Sequence, residues 1–197
     1  RTTLATLLSV VSSFAYNAVA FGLPVIISSF FVQSMLTTIL ISLVLNLLFA
    51  FVGGLLAVRY VPRFGAWRMS LAGYACQLVA LLGLGLIGRP EGATEGVLAV
   101  AMLALFLFGQ GFGPGAHTMT FASLSYPTSL RGVGVGLNQT LMRSSSTLSL
   151  FLFPLLVASL DTAVFWVIAL APFIGLASLL AIRWEPSGYD VDAEDYR

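Results

Sequence analysis

The strongest constraint in this chain is a succession of six apolar segments, each ~20–28 residues long, separated by short polar stretches. A helix of that length crosses a hydrocarbon core ~30 Å thick. Only 9% of the 197 residues are charged and 58% are hydrophobic, whereas a soluble domain carries about 25% charged residues. Water is therefore not the main solvent, and soluble enzymes, nucleic-acid binders and disulfide scaffolds are excluded. Cys76 is the single cysteine, which allows neither an internal disulfide nor a cysteine-based metal cluster. The ~10-residue alternating segments of a membrane β-barrel are missing. The expected class is an all-α membrane protein.

The spans are expected at 4–31, 35–58, 69–87, 97–124, 133–156 and 162–182, giving a six-helix bundle over 1–183 and an acidic tail over 184–197. Arginine supplies all nine basic residues, and its excess in short loops sets orientation. Arg1, Arg59, Arg63, Arg68, Arg131, Arg183 and Arg197 fall on one side. Arg89 falls on the other with Glu91, Glu95 and Asp161. Both ends are thus expected in the cytoplasm. Tyr60, Trp67, Tyr126 and Trp184 lie at the inner span ends, where amphipathic rings favour the headgroup level. The chain opens at Arg1 without an initiator methionine or a signal-type segment, which points to a processed chain or a fragment.

No Asp or Glu lies inside a span. The intramembrane polar groups are amides, hydroxyls, His117 and Arg143. Ser9, Ser13 and Tyr16 share a face of the first span, with Asn17 beside them. The second carries Thr38, Ser42 and Asn46, the fourth Gln110, Pro114 and His117. The fifth carries Gln139, Arg143 and Ser146 on one face, with Asn138 and Ser145 adjacent. The third and sixth offer little beyond Gln77, Cys76 and Ser178. Polar groups in hydrocarbon are costly unless they face protein or water. Spans one, two, four and five are therefore expected around a wet cavity, and three and six against lipid.

Arg143 lies about eleven residues into the fifth span, ~16 Å deep at 1.5 Å per residue. Burial there costs at least ~2.5–3.5 kcal/mol, and this chain supplies no membrane carboxylate to pair with it. An anionic ligand, or a part of the protein outside this chain, is the expected partner. Two spans also carry helix breakers, Gly22-Leu23-Pro24 in the first and Gly113-Pro114-Gly115 in the fourth. Broken helices at matching places of two repeats point to a transporter binding site, so breaks are expected at Pro24, Gly113 and Pro114.

The loop Tyr126-Pro127-Thr128-Ser129-Leu130-Arg131-Gly132-Val133-Gly134 resembles the one between helices ten and eleven of major facilitator superfamily transporters. Its nearest likeness is to sugar porters and metabolite–proton symporters, although Leu124 stands where they carry an acid. Arg59-Tyr60-Val61-Pro62-Arg63-Phe64-Gly65-Ala66-Trp67-Arg68 is similar to the superfamily's other cytoplasmic signature, with Pro62 replacing its aspartate. The resemblance implies two three-helix repeats forming half of a twelve-helix protein, with an N-terminal six-helix half upstream. It also implies alternating access, with Arg59, Arg63, Gly65, Arg68, Pro127, Arg131 and Gly132 in cytoplasmic latches. Proton coupling would reside in the upstream half.

The functional expectation is a plasma-membrane secondary transporter, proton-coupled and without a cofactor or bound metal, carrying a small polar metabolite through the bilayer. Arg143, Tyr16, Asn17, Asn46, Gln110, His117, Asn138 and Gln139 are its expected substrate-binding residues. Arginine suits carboxylate or phosphate, which leans the reading to an anion such as an organic acid or phosphorylated compound. A neutral sugar or polyol bound by the amides and hydroxyls is the alternative. A channel or an intramembrane enzyme lacks its motif: there is no filter-like element, Gly-x-Ser-Gly or His-Glu-x-x-His.

Overall fold

The computed structural model describes residues 2–30 and 34–186, so the expected tail from 187 onward lies outside the described residues, as does Arg1. The described chain is helical: α1 Thr2–Phe30, α2 Met35–Leu45, α3 Phe51–Phe64, α4 Ala66–Ile87, α5 Ala93–Phe112, α6 Pro114–Ser123, α7 Arg131–Leu160 and α8 Val164–Ala181. A π-helical turn, Asn46–Ala50, joins α2 to α3, and a 3-10 turn, Asp161–Ala163, joins α7 to α8. Five helical stretches are long and apolar enough to cross a membrane. The last of these, Arg131–Ala181, has 51 residues, far more than ~20 per crossing. It turns at Asp161, a non-glycine residue held at φ 52°, and so contains two of the expected segments.

Local chemistry sets several boundaries. Ser34 caps α2 by accepting the Thr37 N–H at 3.2 Å, the arrangement expected of a serine N-cap. Gly65 separates α3 from α4 at φ 80°, a left-handed conformation that glycine adopts without a Cβ penalty.

α1 is the central helix. Leu4, Leu8, Val11, Ala15, Ala18, Leu23 and Ile26 are buried at helical spacing, and the helix packs on α2, α5, α6, α7 and α8. Its polar residues Ser12, Ser13, Tyr16 and Asn17 line a cavity beside that core.

Two expectations need correction. Pro24 does not break its span: α1 runs unbroken from Thr2 to Phe30 with Pro24 inside it. Second, the third span is not a lipid-facing helix poor in inward polarity. α4 packs on α5 and α8 and buries Met69, Ser70, Gly73, Tyr74, Gln77, Leu81 and Leu84. Tyr74 donates its hydroxyl to the Leu8 carbonyl at 2.8 Å. The least covered span within this chain is the second, with 17% of its most apolar window buried against 39% for α4. Hydropathy does not separate these cases, because lipid and protein interiors are equally apolar.

Candidate functional site

The fourth span does break where glycine and proline adjoin. Gly113, at φ −112° and ψ −107°, ends α5, and Pro114 begins α6, the first helical position, where a missing N–H costs least. The break is made possible by α4. A Cβ on Gly73 would lie 2.5 Å from the Gly109 carbonyl oxygen and 2.6 Å from both Gly113 Cα and Pro114 Cδ. Glycine at 73, 109 and 113 therefore lets two backbones touch.

Beside this break, α1, α5, α6 and α7 enclose an open cavity of about 520 Å³. From α1 come Ser12, Ser13, Tyr16 and Asn17, and from the broken span Gln110, Gly115, Thr118 and Met119. From α7 come Gln139, Met142, Arg143 and Ser146. Three of these, Gln139, Arg143 and Ser146, are the face read from the i, i+4, i+7 spacing.

Hydrogen bonds fix most of the wall. Ser13 Oγ and Ser146 Oγ are 2.5 Å apart, and Asn17 Nδ2 donates to the Ser13 carbonyl at 2.7 Å. Asn17 Nδ2 also lies 3.1 Å from each of those hydroxyl oxygens. Ser145 and Ser149 donate to the Val10 and Phe14 carbonyls at 2.9 and 2.7 Å, stitching α7 to α1. Across the cavity, Gln110 Nε2 donates to Ser12 Oγ at 3.1 Å, while Gln77 Nε2 donates to Gln110 Oε1 at 2.5 Å. Gln139 Nε2 reaches Met119 Sδ.

Arg143 differs from these neighbours. Its side chain is exposed at the cavity and along an adjoining shallow groove with Thr140, Ser144 and Thr147. Among the described residues its guanidinium makes no hydrogen bond or ion pair, and none of the cavity-lining residues is acidic. A planar cation with free donors facing a polar cavity can hold a carboxylate or phosphate through paired bonds.

The other expected binding residues stand elsewhere. Asn46 does not line the cavity but accepts the Tyr16 hydroxyl at 3.4 Å, from the first position of the π turn. His117 and Asn138, only 4% and 1% exposed, are packed between helices and not at the cavity surface. Neither polar atom of Asn138 nor Nε2 of His117 has a partner among the described residues. Helical spacing placed both on polar faces, but one residue of register, ~100° of rotation, separates Asn138 from Gln139.

Ser12, Thr118, Met119 and Met142 line the cavity without having been singled out in the sequence. Gln77 supports it from behind. The serine run beside Ser13 was the available signal for Ser12. The methionines carried none, and Gln77 stood out only as an isolated polar group of the third span.

The expected latch residues gather at one end of the bundle. Arg63, Gly65 and Arg68 line a pocket with Trp67, Arg183 and Glu185, and Arg59 is exposed one turn before Arg63. Pro127, Arg131 and Gly132 sit at the turn between α6 and α7, where the Leu130 N–H donates to the Pro127 carbonyl at 3.0 Å. Arg131 Nε donates to the Tyr126 carbonyl at 3.4 Å. At the start of α4, the Ala66 and Trp67 N–H donate to the Glu185 carboxylate at 3.0 and 2.9 Å. At the opposite end, Arg89 pairs with Asp161 at 3.0 Å.

A family model described as sugar (and other) transporter matches residues 1–182. The chain belongs to this family. Solved structures agree in fold. A mutant of the peptide transporter POT in complex with sulfate superposes with TM-score 0.71 at 16% identity, over 99% of this chain and 42% of that one. The mutant in complex with alafosfalin gives 0.70 at 17% identity, over 95% of this chain and 39% of that one. The chain thus spans about two fifths of the length of those transporters. Comparison with curated proteins gives no match. The protein is a multi-pass membrane protein with the helical half-fold of the major facilitator superfamily, and its family is one of transporters and not of enzymes.

Proposed function

We propose that the cavity between α1, the α5–α6 break and α7 is this chain's half of the substrate site of a proton-coupled, alternating-access transporter for a small anionic metabolite. Arg143 would read the anionic group, while Asn17, Gln110, Tyr16 and Gln139 bind its polar remainder. An N-terminal six-helix half would close the cavity from the other side and carry the proton-coupling carboxylates, since none of the residues lining the cavity here is acidic. The second span leaves Leu36, Leu43, Leu47 and Val58 uncovered, a face suited to that half. The same reading puts the protein in the plasma membrane, and the arginine bias between loops supports both ends being cytoplasmic.

The observation that carries the anionic reading is a cation with no counter-charge, in a cavity lined by no acid, among the described residues. The test is ligand-dependent thermal stability of the purified full-length protein, wild type and Arg143→Gln, against monocarboxylates, aromatic acids, phosphate esters, sugars and polyols. Ligands that favour the folded state raise the midpoint. An anion should stabilise the wild type, and Arg143→Gln should weaken it about tenfold or more, ~1.4 kcal/mol per decade. Stabilisation by a sugar, equal in both proteins, would overturn the anionic reading. It would support the second one, a neutral sugar held by the amides, which the family description favours.

A further inference from the structure

A second concavity, outside the cavity, lies where α3, α4 and the segment after α8 meet. It encloses about 630 Å³, and its charged wall is Arg63, Arg68 and Arg183 with Glu185. The balance is three cations against one carboxylate. That carboxylate is already engaged by the first two amides of α4, at 3.0 and 2.9 Å. The three arginine side chains are exposed, and none pairs with an acid among the described residues.

The rest of the wall is apolar. Phe64 is exposed, and Trp67 is held by its indole N–H donating to the Leu179 carbonyl at 2.9 Å. All of these residues lie at or near helix ends, and the ends of membrane-spanning helices are where a bundle meets headgroups. A pocket with fixed aromatic carbon on one side and, on the other, guanidinium groups that pair with no acid among the described residues suits an anion attached to an acyl chain. Guanidinium forks match phosphate oxygens in pairs, and basic pockets between membrane helices hold phospholipid headgroups.

We propose that this pocket binds a phosphate-bearing anion, supplied by the headgroup of an anionic phospholipid and held by Arg63, Arg68 and Arg183. The site is separate from the cavity and does not depend on which solute is carried.

The test uses the purified full-length protein in nanodiscs of phosphatidylcholine with and without phosphatidylglycerol, reading the thermal midpoint, and native mass spectrometry to count retained phosphatidylglycerol. The wild type should gain stability and retain the lipid. The triple variant Arg63→Gln, Arg68→Gln, Arg183→Gln should lose both, with headgroup affinity about tenfold weaker or more. Arg89→Gln, which removes a charge at the other end, should behave as wild type. Should the triple variant not fold, Arg68→Gln alone should lose part of the shift. Glycerol phosphate added in detergent separates the sources: an Arg-dependent shift there assigns the site to soluble phosphates, and its absence beside a lipid effect assigns it to the headgroup. The proposal is overturned if phosphatidylglycerol and glycerol phosphate leave the wild type unchanged, or if the arginine variants respond as the wild type does.

Discussion

The first and fourth spans carry similar breakers and resolve them in opposite ways. α1 continues through Pro24, whereas the fourth span leaves the helical conformation at Gly113 and restarts at Pro114. Proline removes one donor from a helix and crowds the residue before it. In α1 that preceding residue is Leu23, fully buried in the core, and the packing around it holds the helical path. Before Pro114 stands Gly113, packed against the Gly73 backbone, so leaving the helix costs little and lets two chains approach. Proline therefore breaks a helix here only where its neighbours allow the backbone to go elsewhere.

The largest effect should come from filling that contact. Gly73→Val places carbon within 2.6 Å of the broken segment's backbone, and neither backbone can yield. A loss of about 3 kcal/mol or more is expected, at or above the upper end of overpacking costs, read as a fall in the thermal midpoint of the detergent-purified protein. A normal midpoint would mean the break does not depend on α4.

Next come the prolines themselves. Pro24→Ala restores a donor inside a continuous helix and should stabilise the protein by ~1–3 kcal/mol, approaching the interior proline penalty. Pro114→Ala, at a first helical position, should change stability by less than about 1 kcal/mol while altering transport. Equal stabilisation by the two substitutions would erase the contrast.

Smaller effects test how the two spans anchor their polar groups. Gln110, one turn before the break, is held from outside its helix by Gln77 and Ser12. Gln77→Leu should cost about 1–2 kcal/mol, because a buried amide loses its donor. In α1, Ser9 returns its hydroxyl to its own helix at the Ala5 carbonyl. Ser9→Ala should shift the midpoint by no more than about 0.5 kcal/mol. A larger change would show that Ser9 supports a neighbouring helix.

The same contrast explains what was legible beforehand. Apolar length gave the helices, since lipid demands internally satisfied backbone. Polar spacing gave the cavity face of α7 at Gln139, Arg143 and Ser146, because a wet wall repeats with the helix period. It could not say which polar groups turn instead into helix contacts, as His117, Asn138 and Gln77 do, since both surroundings are built from the same residue types. Nor could it tell that Pro24 would be absorbed, which depends on Leu23's tertiary packing. The cap on α4 was hidden for another reason: its carboxylate is 119 residues from the amide it serves.

That separation sets an order of events during synthesis. At ~5–20 residues per second, Glu185 follows Ala66 by about 6–24 s. Throughout that interval the start of α4 exists without the carboxylate that completes it. The helix must enter the membrane on its apolar length alone, and its final seat is secured only when the last span has come into place.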